Sequence, residues 1–78
     1  MKIFIELPFC GKITILEVEN NFTIEKVKLM IQEMENFPMN RQILNFQGNE
    51  ITDNNQTLSD LNIQNESTIN VYLLMTQR

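Results

Sequence analysis

The chain opens on strict alternation. Between Met1 and Leu7, the residues Ile3, Ile5 and Leu7 fall on one side and Lys2, Phe4 and Glu6 on the other, the period of two that a half-buried strand requires. Pro8-Phe9-Cys10-Gly11-Lys12 then reads as a turn, in which Gly11 can supply a positive φ. A second run, Ile13 to Glu19, follows at hairpin distance. Glu17 and Glu19 point outward there, so Leu16 and Val18 point inward. Carried backward, the same phase turns Thr14 in and leaves Ile13 and Ile15 out. Two solutions are open: a bulge rephases the strand, or two isoleucines stand on the solvent face beside Phe4.

After Asn20-Asn21 the period changes. Thr23 suits an N-cap, Glu25 falls in the first turn, and Ile24, Val27, Ile31 and Met34 recur at spacings of three, four and three. Lys26, Lys28, Gln32, Glu33 and Glu35 take the wet side, with Leu29 and Met30 flanking the stripe. Gln32, Glu33 and Glu35 read as a solvated acidic surface. Asn36 suits a left-handed terminator and Pro38 stops any continuation, so the spacing predicts a helix over Ile24 to Glu35.

Beyond Pro38 the period of two returns. Leu44 and Phe46 alternate with Ile43 and Asn45, Gln47-Gly48-Asn49 turns the chain, and Glu50-Ile51 forms a short strand. Asp53 to Gln56 is a polar loop, and Thr57-Leu58-Ser59-Asp60-Leu61 has the composition of a single helical turn. A last strand runs from Thr68 to Met75 with Ile69, Val71 and Leu73 on one side. Hairpin, helix, strand, short strand, turn and strand make an α+β roll, a mixed sheet of about five strands packed on one helix.

Composition narrows the function. Seventy-eight residues allow one domain, spanning 1–78, with no second core. A net charge of -4 and a pI near 4.6 argue against a nucleic-acid backbone or an acidic membrane as the main partner. No basic-then-apolar signal segment opens the chain, and no apolar run is long enough for a membrane span. The chain has no His, no Trp and one Cys, Cys10. A zinc site therefore lacks its usual nitrogen and sulfur ligands, a thiol nucleophile lacks an imidazole base, and no disulfide can close within the chain. Cys10 reads as an ordinary turn thiol. These residues point to a monomeric binding domain of the cytoplasm or nucleus, without cofactor or metal, rather than to an enzyme.

Order and spacing carry a further signal. Met1-Lys2-Ile3-Phe4-Ile5, Gly11-Lys12, Leu16-Glu17-Val18-Glu19, Thr23-Ile24-Glu25-Lys26-Val27-Lys28 and Ile31-Gln32 resemble the ubiquitin family in sequence and separation. So do Pro38, Leu44, Phe46, Gly48, Asp53, Thr57-Leu58-Ser59-Asp60, Asn62-Ile63-Gln64 and Glu66-Ser67-Thr68. The likeness needs only one extra residue in the first turn and one near Asn54-Asn55. It implies a β-grasp fold, the same architecture that the periodicity gives.

The departures fall on positions that carry function in the family. Conjugated members end in two glycines, whose side-chain-free backbone threads activating enzymes; Gln77 and Arg78 stand in those places, and no glycine occurs in the last thirty residues. As written, the chain lacks the chemistry for conjugation. The family's recognition patch is centred on an isoleucine of the third strand, with a leucine in the first turn and a histidine and a valine in the last strand. The resemblance places Asn45, Asn70 and Tyr72 at the strand positions and Pro8 or Phe9 at the turn. Replacing an apolar centre by an amide forfeits about 1.5–3 kcal/mol of burial gain at a contact. Two arginines beside that patch become Ile43 and Leu74, and two chain-building lysines become Asn49 and Asn65.

The expectation is a displaced protein-binding patch comprising Phe9, Ile43, Asn45, Gly48, Asn70, Tyr72 and Leu74, with Met75 at its edge. Phe4, Ile13 and Ile15 form a second candidate patch. The function this implies is that of a non-conjugated ubiquitin-like adaptor or N-terminal module. It would bind receptors or adaptors of the ubiquitin–proteasome or a related pathway. The alternative is a divergent modifier whose Gly-Gly lies beyond Arg78.

Overall fold

A computed structural model describes residues 1–75. The reading of Gln77 and Arg78 as replacements for a diglycine lies outside the described residues. The elements follow the predicted order: β1 (Lys2–Leu7), β2 (Lys12–Glu17), α1 (Ile24–Glu35), a 3-10 turn (Met39–Arg41), β3 (Gln42–Phe46), β4 (Asn49–Glu50) and β5 (Thr68–Leu73). The five strands form one mixed sheet in the order β2-β1-β5-β3-β4, in which β1 and β5 run parallel and the other neighbours antiparallel.

The first hairpin settles its own register. β1 and β2 pair without interruption from Lys2↔Glu17 to Leu7↔Lys12, so no bulge rephases β2. Ile13 and Ile15 therefore stand on the outer face, 62% and 55% exposed, with Ile15 directly opposite Phe4. The inward phase continues past the end of β2: the Val18 N–H donates to the Met1 carbonyl at 2.8 Å, and Val18 is buried.

Helix α1 has the predicted bounds and both predicted caps. The Lys26 N–H donates to Thr23 Oγ1 at 3.2 Å, and Asn36 adopts the left-handed conformation at φ 62°. Its buried face differs from the predicted stripe. Ile24, Val27 and Ile31 are buried, but Lys28 is buried with them and Met34 is 51% exposed. The reason is the helical period. Eleven residues complete about three turns, so Glu35 rather than Met34 lies in line with Ile24. Lys28 reaches out of the buried face through Nζ, which donates to Asn54 Oδ1 at 2.9 Å.

The core joins the inner side of the sheet to the helix. Ile3, Ile5 and Leu7 of β1, Leu44 of β3, and Ile69 and Val71 of β5 pack with Ile24, Val27 and Ile31, and Leu58 and Ile63 close the lower end. Leu58 is held there by a short turn built as a reciprocal cap. The Asp60 N–H donates to Thr57 Oγ1 and the Thr57 N–H donates to Asp60 Oδ2, both at 3.0 Å. Gln42, at the start of β3, is buried, and its Nε2 ties the middle of the helix to the segment after it by donating to the carbonyls of Lys28 (3.0 Å) and Phe37 (2.9 Å). Sequence alternation alone does not reveal this polar tie, because Gln42 occupies an inward strand position that Leu or Val would fill equally well.

The Thr23 cap has a measurable share in stability. Thr23→Ala leaves a donor of the first helical turn without its acceptor and should lower the unfolding free energy by about 1 kcal/mol. Urea unfolding monitored by circular dichroism checks this, and an unchanged midpoint would reject the cap.

Candidate protein-docking face

The register of the sheet arranges its outer side chains in rows. Ile43 of β3 lies opposite Tyr72 of β5. Two residues along, Asn45 lies opposite Asn70, Asn70 is in register with Glu6, Glu6 is opposite Ile13, and Asn45 is opposite Glu50. Ile13, Glu6, Asn70, Asn45 and Glu50 thus cross all five strands in a single row. A third row contains Ile15, Phe4 and Thr68. One polar row separates two apolar ones.

The candidate residues divide accordingly. Tyr72 is 43% exposed, and Ile43, Asn45 and Asn70 beside it are half-buried. Gly48 is exposed at the tip of the β3–β4 hairpin, where Gln47 and Gly48 both take positive φ, 54° and 83°, as a two-residue turn between twisted strands requires. Leu74 follows β5 and lines one cleft of about 380 Å³ with Ile43, Met39 and Ile51. Phe9 is exposed on the first turn, and its ring contact is with Phe37, at a centroid distance of 5.8 Å and an interplanar angle of 54°. Phe4, Ile13 and Ile15 lie together on the outer face of β1 and β2. Exposed Met75 follows Leu74 in the chain.

Two polar devices hold this face in place, and sequence reasoning missed both. The first fixes the segment after β5. The Leu74 N–H donates to the Arg41 carbonyl at 2.8 Å, Arg41 Nε donates to the Leu74 carbonyl at 2.9 Å, and Arg41 Nη2 donates to the Met75 carbonyl. The signal available was positional. Arg41 immediately precedes β3, whose antiparallel pairing with β5 brings it to the strand's end.

The second device fixes the first turn to the helix. Lys12 Nζ donates to Glu35 Oε1 at 2.9 Å, and the Thr14 hydroxyl donates to Glu35 Oε2 at 3.0 Å. Glu35 is therefore not part of a solvated acidic face, since its side chain is only 11% exposed. The last helical turn overlies β2, and the inward Thr14 meets it there. Gln32 is likewise engaged, because its Oε1 accepts the Met39 N–H at 3.0 Å. The Lys12 ammonium, hydrogen-bonded to Glu35, holds that carboxyl below its ordinary value of 4.5; burial opposes this, and the Thr14 hydroxyl assists it.

A comparison with family models matches residues 3–76 to the ubiquitin family. The chain belongs to the ubiquitin family. The mixed five-stranded sheet on one helix is the β-grasp of that family, as the residue pattern predicts. Within this ubiquitin-like frame the outer face carries an Asn–Asn pair at its middle and aromatic and aliphatic residues above and below it. No helix among the described residues is long and apolar enough to cross a membrane.

The Glu35 tie predicts a pH signature. A carboxyl whose folded pKa is lowered contributes stability above its unfolded value, and that contribution is lost as pH falls through the folded value. Lys12→Met keeps the aliphatic stem but removes the charge. It should cost about 0.5 kcal/mol at pH 7, the lysine end being solvent-screened, and the difference should vanish at an acid pH low enough to protonate Glu35 in the folded protein. Urea unfolding of both proteins at the two pH values checks this; a gap independent of pH would contradict the tie.

Proposed function

We propose that this ubiquitin-like domain works by non-covalent docking to other proteins, as an adaptor or N-terminal module of the ubiquitin–proteasome or a related pathway. It acts by binding rather than catalysis, as one monomeric domain in the cytoplasm or nucleus. Its docking surface comprises Phe9, Ile43, Asn45, Gly48, Asn70, Tyr72 and Leu74. The observation that carries this reading is the Ile43↔Tyr72 pair on the outer face, with Leu74 on the same cleft as Ile43. Tyr suits such a position because it combines a large contact area with a polar tip. Gln77 and Arg78, in the places of the family's two terminal glycines, support a non-conjugated role.

Two experiments test the reading. The Tyr72→Ala, Leu74→Ala double variant should remain folded and lose at least about 1.4 kcal/mol, a tenfold loss, in affinity for the partner that wild type captures. Capture unchanged by the double variant would move the site elsewhere, first to Phe4, Ile13 and Ile15. Incubation of the natural full-length product with ubiquitin-activating enzyme and ATP should give no thioester. A thioester band, with Gly-Gly following Arg78 in the source sequence, would instead make the protein a divergent modifier.

A further inference from the structure

The cleft of about 380 Å³ opens beside the edge strand β4, walled by the 3-10 turn, β3, the residues after β4 and Leu74. That volume falls at the lower end of the roughly 300–1,000 Å³ over which small-molecule pockets range. Met39, Ile43, Ile51 and Leu74 supply its apolar lining, and Leu74 is fixed there by its backbone bonds with Arg41.

Gln42 lines the same cleft. It is 4% exposed, and its Oε1 is buried without a hydrogen bond from any described residue. The orientation of the carboxamide is fixed by its neighbours. Nε2 donates to the carbonyls of Lys28 and Phe37, and the flipped amide would set Oε1 against those two acceptors. Oε1 is therefore turned away from both carbonyls with its lone pairs unused. Such an oxygen is rare in a folded protein, because it has lost water and gained no donor in exchange. The same burial makes it a selective contact. A donor that reaches it gains a hydrogen bond without stripping a hydration shell from the protein.

The charges on the wall narrow the kind of donor. Lys28 and Glu50, each engaged within the chain, put one charge of each sign among the described lining residues. An ammonium head would donate to Oε1 but lie in the same cleft as the Lys28 ammonium, and a carboxylate has no proton to give. A neutral, strongly dipolar head avoids both faults. A primary carboxamide has N–H groups for Oε1 and an oxygen of its own that suits the lysine side.

We propose that this cleft binds a small uncharged molecule, a primary amide on a short aliphatic body, with its N–H on Gln42 Oε1 and its chain against Met39, Ile51 and Leu74. The site goes beyond the docking reading above and does not depend on it, because Gln42 takes an inward position on β3 whereas Asn45 and Ile43 take outward ones.

The test titrates three probes into isotopically labelled protein, followed by two-dimensional nuclear magnetic resonance: pentanamide, N,N-dimethylpentanamide, which has no N–H, and pentylammonium. Pentanamide should bind in the millimolar range expected of so small a ligand and shift the Gln42 side-chain amide together with the Ile51 and Leu74 methyl groups. The other two should bind about fivefold more weakly. Thr52→Trp enlarges an exposed lining residue without touching the core and should abolish the pentanamide shifts. Gln42→Met keeps the chain length, removes the acceptor and should erase the preference for pentanamide over its dimethyl analogue. Should that variant fail to fold, the comparison of probes on the wild type and the Thr52→Trp titration decide the matter. Equal binding of the three probes, no saturable shift at Gln42, or pentanamide shifts that persist in Thr52→Trp would overturn the site.

Discussion

The parallel pairing of β1 with β5 is the contact on which the rest of the molecule depends. It joins segments more than sixty residues apart, with Phe4, Ile5 and Glu6 in register with Thr68, Ile69 and Asn70. Closing a loop of that length costs more entropy than any local turn, so the strand interior must offset it. It does so through burial: Ile3, Ile5, Ile69 and Val71 are almost completely inaccessible to solvent. The same pairing fixes everything on the other side of the sheet. A slip of one residue would drive Ile69 and Val71 outward and bring Asn70 and Tyr72 into the core. The hydrophobic interior thus sets the geometry of the polar row with no contribution from that row itself.

Around this centre, polar ties hold the elements that hydrophobic packing leaves loosely placed. Gln42 binds a carbonyl in the middle of the helix and another just beyond its C-terminal cap, Glu35 receives Lys12 and Thr14 from the first hairpin, and Arg41 grips the backbone beyond β5. Glu35 is the most informative of these. A carboxylate in the last helical turn opposes the helix dipole, and α1 has no basic residue in that turn. The cation comes from β2 instead. An unfavourable local position becomes a tertiary clasp, because Lys12 supplies from another element what the helix sequence lacks.

This division explains what could be read in advance. Alternation located β1, β3 and β5, and capping chemistry at Thr23 and Asn36 gave α1 its bounds, since those signals act within a few residues. The rephasing question at Ile13 and Ile15 stayed open because a bulge and an exposed pair give the same local pattern. Only the partner strand distinguishes them, and its uninterrupted register does so here. Lys28 and Glu35 were misplaced because their charge suggested solvent while the helical period put them over the core; their partners, Asn54, Lys12 and Thr14, are all at least twenty residues distant. The Asn45–Asn70 pair was legible as two departures from the family, but its junction with Glu6 and Ile13 in one row needed three strand registers at once.

The open edge of the sheet constrains the outer face as well. β2 is an edge strand, and Ile13 and Ile15 on it are exposed β-branched residues, a pattern that invites pairing with another strand. Its two ends are charged. Lys12 opens the strand and Glu17 closes it, with Lys2 opposite Glu17 on the neighbouring strand. A second copy approaching edge to edge must find a register that places these charges well. The isoleucines are then usable contact area for a partner that lies across the face and a restricted one for a partner that extends the sheet. That asymmetry follows from where the charges stand along β2 and on the neighbouring β1.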